Sequence, residues 1–182
     1  MAREMRIVDY DPSWPDRFEE EAAALRAALG EVLVRAHHIG STSVPGLAAK
    51  AVIDICLEVR DLASLEARDD AMRLLGYIPR GELGIPGRRY YPKGGVERTH
   101  HVHAYVSGNP LVAKHLAFRD YLRAHRQAAR AYAQIKREAS AKHLTDPDGY
   151  LAYKDAFVRR TIDRAMAWTA RREETVSETS GE

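Results

Sequence analysis

The stretch His38-Ile39-Gly40-Ser41-Thr42-Ser43-Val44-Pro45-Gly46-Leu47, followed after Lys50 by Ala51-Val52-Ile53-Asp54-Ile55-Cys56-Leu57-Glu58-Val59, decides how the rest of the chain is read. A turn of small residues leads into an apolar strand that carries a carboxylate. Such a turn lets backbone N–H groups approach a phosphate, and an acid beside it can hold a divalent cation. With side chains alternating along a strand, Asp54, Cys56 and Glu58 share one face and Ile53, Ile55, Leu57 and Val59 the other. An acid inside an otherwise apolar strand is costly unless paired, so Asp54 is expected to face a partner or a ligand.

Working upstream, Arg6 to Tyr10 reads as a short strand, and Ser13 as the cap of a helix running to about Gly30, with Asp16 able to reciprocate the cap. Trp14, Phe18, Ala22, Leu25 and Leu29 recur at three- and four-residue steps and mark the face that packs on a sheet. Val32 to Ile39 is a second strand and Ala51 to Arg60 a third. Downstream, a helix from about Leu62 to Leu75 stops at Gly76, and Tyr77-Ile78-Pro79 can start another strand. Gly81 to Gly87 is a loop, and Arg88 to Tyr91 and Thr99 to Val106 can pair as a hairpin across Pro92 to Arg98. Past Asn109-Pro110 the periodicity turns helical, with helices expected near 111 to 126, 127 to 142 and 148 to 171. Residues 173–182 lack apolar periodicity and read as a disordered tail.

A second constellation is Thr99-His100-His101-Val102-His103-Ala104-Tyr105, in which a strand places His101, His103 and Tyr105 on one face. Two imidazoles on one face can converge on a metal or ligand. If this strand neighbours that of Asp54, the site becomes a mixed histidine and carboxylate cluster suited to Zn²⁺, Mn²⁺ or Fe²⁺ as well as Mg²⁺. Lys50, Arg88, Arg89, Lys93 and Arg98 are cations near these segments that can hold phosphate groups. In the helical third, Phe118-Arg119-Asp120-Tyr121-Leu122-Arg123, Tyr132 with Lys136, and Tyr150 with Lys154 set aromatic and basic groups together. Amphipathic packing with the cations reaching to solvent is the favoured reading of these; a basic wall over the sheet is the other.

These residues resemble the GrpB family of uncharacterised proteins, grouped with the nucleotidyltransferase-like fold and similar to a domain fused to dephospho-CoA kinase in some bacteria. The resemblance runs from Val8-Asp9-Tyr10-Asp11-Pro12-Ser13-Trp14 to Tyr153-Lys154. It is most specific at His38 to Leu47 with Lys50 and Ile53-Asp54-Ile55, and is supported by His100-His101-Val102-His103 and Phe118-Arg119-Asp120-Tyr121-Leu122. It implies a small mixed sheet flanked by helices, with Gly40, Ser41 and Asp54 matching the glycine-serine turn and first acid of nucleotidyltransferases. Those enzymes generally place a second acid two residues after the first, where this chain has Cys56. His101 and His103 stand where a third acid would be sought, and Ala51 replaces a proline usual in the family.

The bulk properties agree with one domain of α/β (α+β) class over residues 1–172, a sheet portion at about 5–107 and a helical portion at about 110–172. The lone Cys56 excludes a disulfide framework and points to a reducing compartment. The N-terminus has no apolar leader pattern and no run approaches about 18 apolar residues, so a cytoplasmic location without membrane insertion is expected. Net charge is only +2, yet residues 114–172 carry 14 Lys and Arg against 6 Asp and Glu. Solvated helix faces account for such a count more simply than nucleic-acid binding.

The reading that follows is a nucleotidyltransferase-like enzyme that binds a nucleotide or phosphorylated small molecule through Gly40, Ser41, Thr42, Lys50 and Arg89. Asp54, His101 and His103 are its expected catalytic residues and the ligands of a divalent metal, Mg²⁺ or Mn²⁺ ahead of Zn²⁺. The alternatives are a degenerate anion-binding module and a transition-metal enzyme. Substrate, acceptor and oligomeric state stay open.

Overall fold

The computed structural model describes residues 4–179. Its elements in chain order are α1 (Trp14–Leu29), β1 (Leu33–Ile39), β2 (Ile53–Val59), α2 (Leu62–Glu66), α3 (Asp69–Leu74), β3 (Arg89–Lys93), β4 (His100–Val106), α4 (Pro110–Ala124), α5 (Arg126–Lys142) and α6 (Pro147–Thr179). The four strands form one sheet in the order β1-β2-β4-β3. β1 runs antiparallel to β2, β2 parallel to β4, and β3 antiparallel to β4, so the sheet is mixed, as expected. The apolar run of β2 explains its place: a strand rich in β-branched residues and covered on both faces belongs at the centre.

One sheet face carries the main core. Ile53, Ile55, Leu57 and Val59 of β2 and Val102 and Ala104 of β4 pack there against Trp14, Leu25 and Leu29 of α1 and Met72 of α3. Ile55, Leu57 and Trp14 are wholly buried, and each such side chain contributes about 1.5–3 kcal/mol by leaving water. The opposite face holds Cys56, Ile39 and Tyr105 against Val112 of α4. α4, α5 and α6 form a second layer over it, and the loop residues Val44 and Leu47 pack onto Leu122 and Tyr132 of that layer.

Several local expectations are corrected. Arg6 to Tyr10 makes no strand; Val8 makes a single bridge to Ala49, because its partner segment carries Pro45 and Gly46 in an irregular turn and offers no ladder. Tyr77 likewise makes one bridge, to Lys93. Ser13 places no side-chain cap on α1; its own N–H donates to Asp11 Oδ1 at 2.9 Å, and Pro15 opens the helix where a missing N–H costs nothing. The helix expected from 62 to 75 divides into α2 and α3, with Asp69 in the second piece accepting from the Tyr91 hydroxyl at 3.0 Å.

β3 extends through Pro92 to Lys93, two residues beyond the strand end expected at Tyr91. A strand at the sheet edge tolerates a residue with no N–H to donate. α6 passes 172 and continues to Thr179, through Arg171, Arg172, Glu173 and Glu174, residue types of high helix propensity; residues 180–182 lie outside the described residues. Among the described residues no helix is long and apolar enough to cross a membrane.

Candidate functional site

The parallel register of β2 and β4 sets Asp54 opposite His101 and Cys56 opposite His103. Facing residues share a side of the sheet, so the carboxylate and both imidazoles meet on the face beneath α4 to α6. His101 Nδ1 lies 3.0 Å from Asp54 Oδ1, and His103 Nε2 lies 3.8 Å from the same oxygen. One donor atom from each of the three residues falls within 4.8 Å of the others. Burial pushes the Asp54 carboxyl up, but hydrogen bonds from His101 and His103 and their charge outweigh it and hold the group well below the usual carboxylate range. Asp54 is therefore an anion at any working pH.

The turn before it is shaped to meet that anion. Gly40 has φ +69°, and a Cβ on it would lie 2.5 Å from Asp54 Oδ2; only glycine permits both the backbone conformation and the approach. Ser43 Oγ donates to Gly40 O at 2.6 Å, and His38 Nε2 stands 3.0 Å from Thr42 Oγ1. Two arginines of α4 clamp the turn from outside. Arg119 donates to His38 O at 3.2 Å, and Arg123 makes a fork to Ser43 O at 2.9 and 2.7 Å.

Between sheet and helices lies a hollow of about 450 Å³, lined by Gly40, Ser41, Thr42, Lys50, Asp54, His101 and His103 and, from the helices, by Lys114, His115, Tyr132, Lys136, Tyr150 and Lys154. Its cationic side chains are Lys50, Lys114 and Lys154, with Lys136 buried in its wall, against the carboxylate of Asp54, an excess that suits an anion. Lys136 is only 2% exposed and donates to Ala48 O. Burial, together with repulsion from Lys154 and Arg137, draws its amine down to about 7. Burial also lowers the imidazoles of His38 and His115 to about 4, so both are neutral near pH 7. His115 Nε2 lies 3.3 Å from the Tyr105 hydroxyl, beside His103 at 5.7 Å between ring centres.

Most of the expected set is brought together: Gly40, Ser41, Thr42, Lys50, Asp54, His101 and His103 all line this hollow. Arg89 is not among them. It sits opposite Ala104 in the register of β3 and β4, on the far sheet face, where it pairs with Glu66 at 2.5 Å and Glu82 at 3.6 Å. Glu58 is also committed elsewhere, to His37 and Ser107 at 2.8 Å each. Cys56, at the second-acid position, is fully buried, and burial, then the charge of Glu58, pushes its thiol up to about 12. Lys114, His115, Lys136 and Lys154 were missed as site residues. Their signal was the aromatic and basic spacing of the helices, which reads equally as solvated packing.

The profile of the family described as GrpB protein matches residues 4–164. The UPF0157 protein YqkA of Bacillus subtilis is 43% identical over 166 residues, covering 91% of this chain and 48% of YqkA. A dephospho-CoA kinase of Mycolicibacterium paratuberculosis is 30% identical over 190 residues, covering 90% of this chain and 46% of the kinase. The chain spans about half the length of these two relatives. The crystal structure of the conserved protein GrpB from Enterococcus faecalis superimposes with a TM-score of 0.87 at 39% identity, over 90% of this chain and 99% of that one. A Cid1 poly(U) polymerase superimposes with a TM-score of 0.51 at 13% identity, over 71% of this chain and 42% of the polymerase. That likeness concerns the fold alone, a mixed sheet with helices of nucleotidyltransferase-like type.

Proposed function

The chain belongs to the GrpB family, and on that footing we propose that the hollow over Asp54 binds a nucleotide or phosphorylated small molecule and transfers a nucleotidyl or phosphoryl group to a small acceptor. The observation that carries this reading is the meeting of Asp54, His101 and His103 beneath the Gly40-Ser41 turn in a lysine-rich hollow. Phosphoryl chemistry is catalysed mainly by positioning and by neutralising charge on the phosphate oxygens, and the lining supplies both. Lys50, Lys114 and Lys154 line the hollow as cations able to answer phosphate oxygens, and the clamped turn offers its backbone at a fixed position. Neutral His115 stands beside His103 without adding charge.

One carboxylate oxygen and two imidazole nitrogens fit a divalent cation. Two nitrogen donors favour Mn²⁺ or Zn²⁺ over Mg²⁺, which prefers oxygen ligands and retains its water. Bound there, such a cation supplies Lewis-acid polarisation of a phosphoryl oxygen. Asp54 would be its anionic ligand, and the missing side chain of Gly40 leaves room for that carboxylate.

Turnover of a nucleotide panel with Mn²⁺, Mg²⁺ or Zn²⁺, followed by phosphate and pyrophosphate release, tests the reading. Asp54→Asn is expected to reduce turnover at least 100-fold, the scale on which loss of an electrostatic group acts; equal turnover by the variant would refute it. A second reading, an anion-binding module without catalysis, is favoured by one observation: Cys56 is buried and protonated where a second metal-binding acid would stand. Calorimetry showing tight nucleotide binding that is indifferent to metal, with no turnover, selects that reading.

A further inference from the structure

We infer that the chain holds a second anion site, for a compact diphosphate group, in a groove lined by arginines of α4 and α5. The inference goes beyond the reading of the hollow and does not depend on it. The groove, of about 680 Å³, runs beside Pro45 to Ala48, the residues that follow the clamped turn, and shares no lining residue with the hollow over Asp54. Arg123, Arg126, Arg130 and Arg137 line it against two acids, Asp9 and Glu138. Both acids are already answered. Arg137 donates to Asp9 Oδ1 at 2.7 Å, and Glu138 accepts from Gln134 at 3.0 Å and from the Tyr153 hydroxyl at 3.1 Å. Arg123 is held by its fork to Ser43 O. The guanidinium groups of Arg126 and Arg130, by contrast, make no hydrogen bond or ion pair with the described residues.

Where the unanswered charge lies selects the ligand. Arg126 and Arg130 stand four residues apart on α5, about 6 Å in helix rise, a like-charged pair whose repulsion an anion between them relieves. The arginines on either side are committed to Ser43 O and to Asp9, so the open charge is confined to one helical turn and suits a small group rather than a long polyanion. Guanidinium forks match phosphate and carboxylate alike. Both arginines are exposed, however, and exposed ion pairs are individually weak, so a ligand held here must concentrate its charge. A diphosphate carries more charge on two adjoining groups than a pair of carboxylates does. Gly46, Ala129 and Ala133 also line the groove, and their small side chains leave space beside the guanidinium groups.

The probes are pyrophosphate and glutarate, titrated without metal into the ¹⁵N-labelled full chain, with the backbone amide resonances of Gly46 and Ala129 reporting on the groove and those of Gly40 and Ser41 on the hollow. Pyrophosphate is expected to shift Gly46 and Ala129 to saturation, and glutarate to do so only at higher concentration. The double variant Arg126→Gln, Arg130→Gln, changed at two exposed positions, is expected to weaken that response about 10-fold and to leave any response of Gly40 and Ser41 as it was. Resonances of Gly46 and Ala129 that do not move, or that move equally in the double variant, overturn the second site whatever the hollow does. Glutarate binding as tightly as pyrophosphate overturns the diphosphate assignment. A groove response beside unmoved Gly40 and Ser41 supports the second site and counts against the anion reading of the hollow instead.

Discussion

Gly40 and Lys136 show how single side chains set the chemistry of the hollow. At Gly40 a positive φ coincides with contact against the Asp54 carboxylate, so a methyl group has to displace one or the other. Gly40→Ala is expected to cost more than about 1 kcal/mol of stability and to weaken Mn²⁺ binding by swinging Asp54 away from His101. The measurement is the rise in unfolding temperature on adding Mn²⁺, present in the parent protein and absent in the variant. An equal rise in both would show that the glycine has no part in placing the acid.

Lys136 gives the pH dependence. Its folded amine titrates near 7, against 10.5 for the free side chain, so between these values the unfolded chain holds the extra proton and stability climbs with pH. Below about pH 7 the cost of burying the ammonium is fully present. Lys136→Met removes this slope: its unfolding temperature relative to the parent is highest near pH 6.5 and declines toward pH 10. A difference that does not change with pH would mean that the amine titrates normally. Gly40 is legible in the sequence as part of the small-residue turn but not in its approach to Asp54, and Lys136 is legible only as a lysine one turn from a tyrosine, its bond to Ala48 O appearing in the fold alone.

At the scale of elements, α4 links stability to the site. It begins at Asn109, whose Oδ1 accepts from the Leu111 N–H at 2.9 Å, and it delivers Arg119 and Arg123 to the carbonyls of His38 and Ser43. Asn109→Ala is expected to cost about 1 kcal/mol by loss of the cap, read as a lower urea midpoint with an unchanged slope. A midpoint equal to that of the parent would count against the cap. The long helices and central strands were legible in the sequence because their periodicity is local. β2 and α1 fall within two residues of the expected bounds. The short elements were not legible: Val8 and Tyr77 lie in strand-like runs, but their partners supply one bridge each, and pairing is a property of two segments.

Across the whole molecule, the site exists because of one topological fact, that β4 returns parallel to β2 after β3 and the helices between. The register that follows sets Asp54 beside His101 and sends Arg89, one residue before Tyr90, to the other face with Glu66. A shift of one residue would exchange those outcomes. The helical layer then closes over the polar face and turns a two-strand cluster into a hollow, bringing in Lys114, Lys136 and Lys154 from helices that follow Asp54 by 60 residues or more.

By itself the sequence determined what neighbours along the chain can settle: the apolar period of α1, the alternation that places Asp54 and Ile53 on opposite faces, the glycine turn, and the paired imidazoles. Tertiary structure alone decided which cations gather at the site and which are paired elsewhere. Arg89 is matched by two glutamates on the far sheet face, whereas Lys50, Lys114, Lys136 and Lys154 line the hollow over Asp54. The physical reason is that alternation and periodicity act through bonds between adjacent residues, while charge neutralisation, burial and the opening of a cavity act through space, between groups whose positions are set only when sheet and helices have packed.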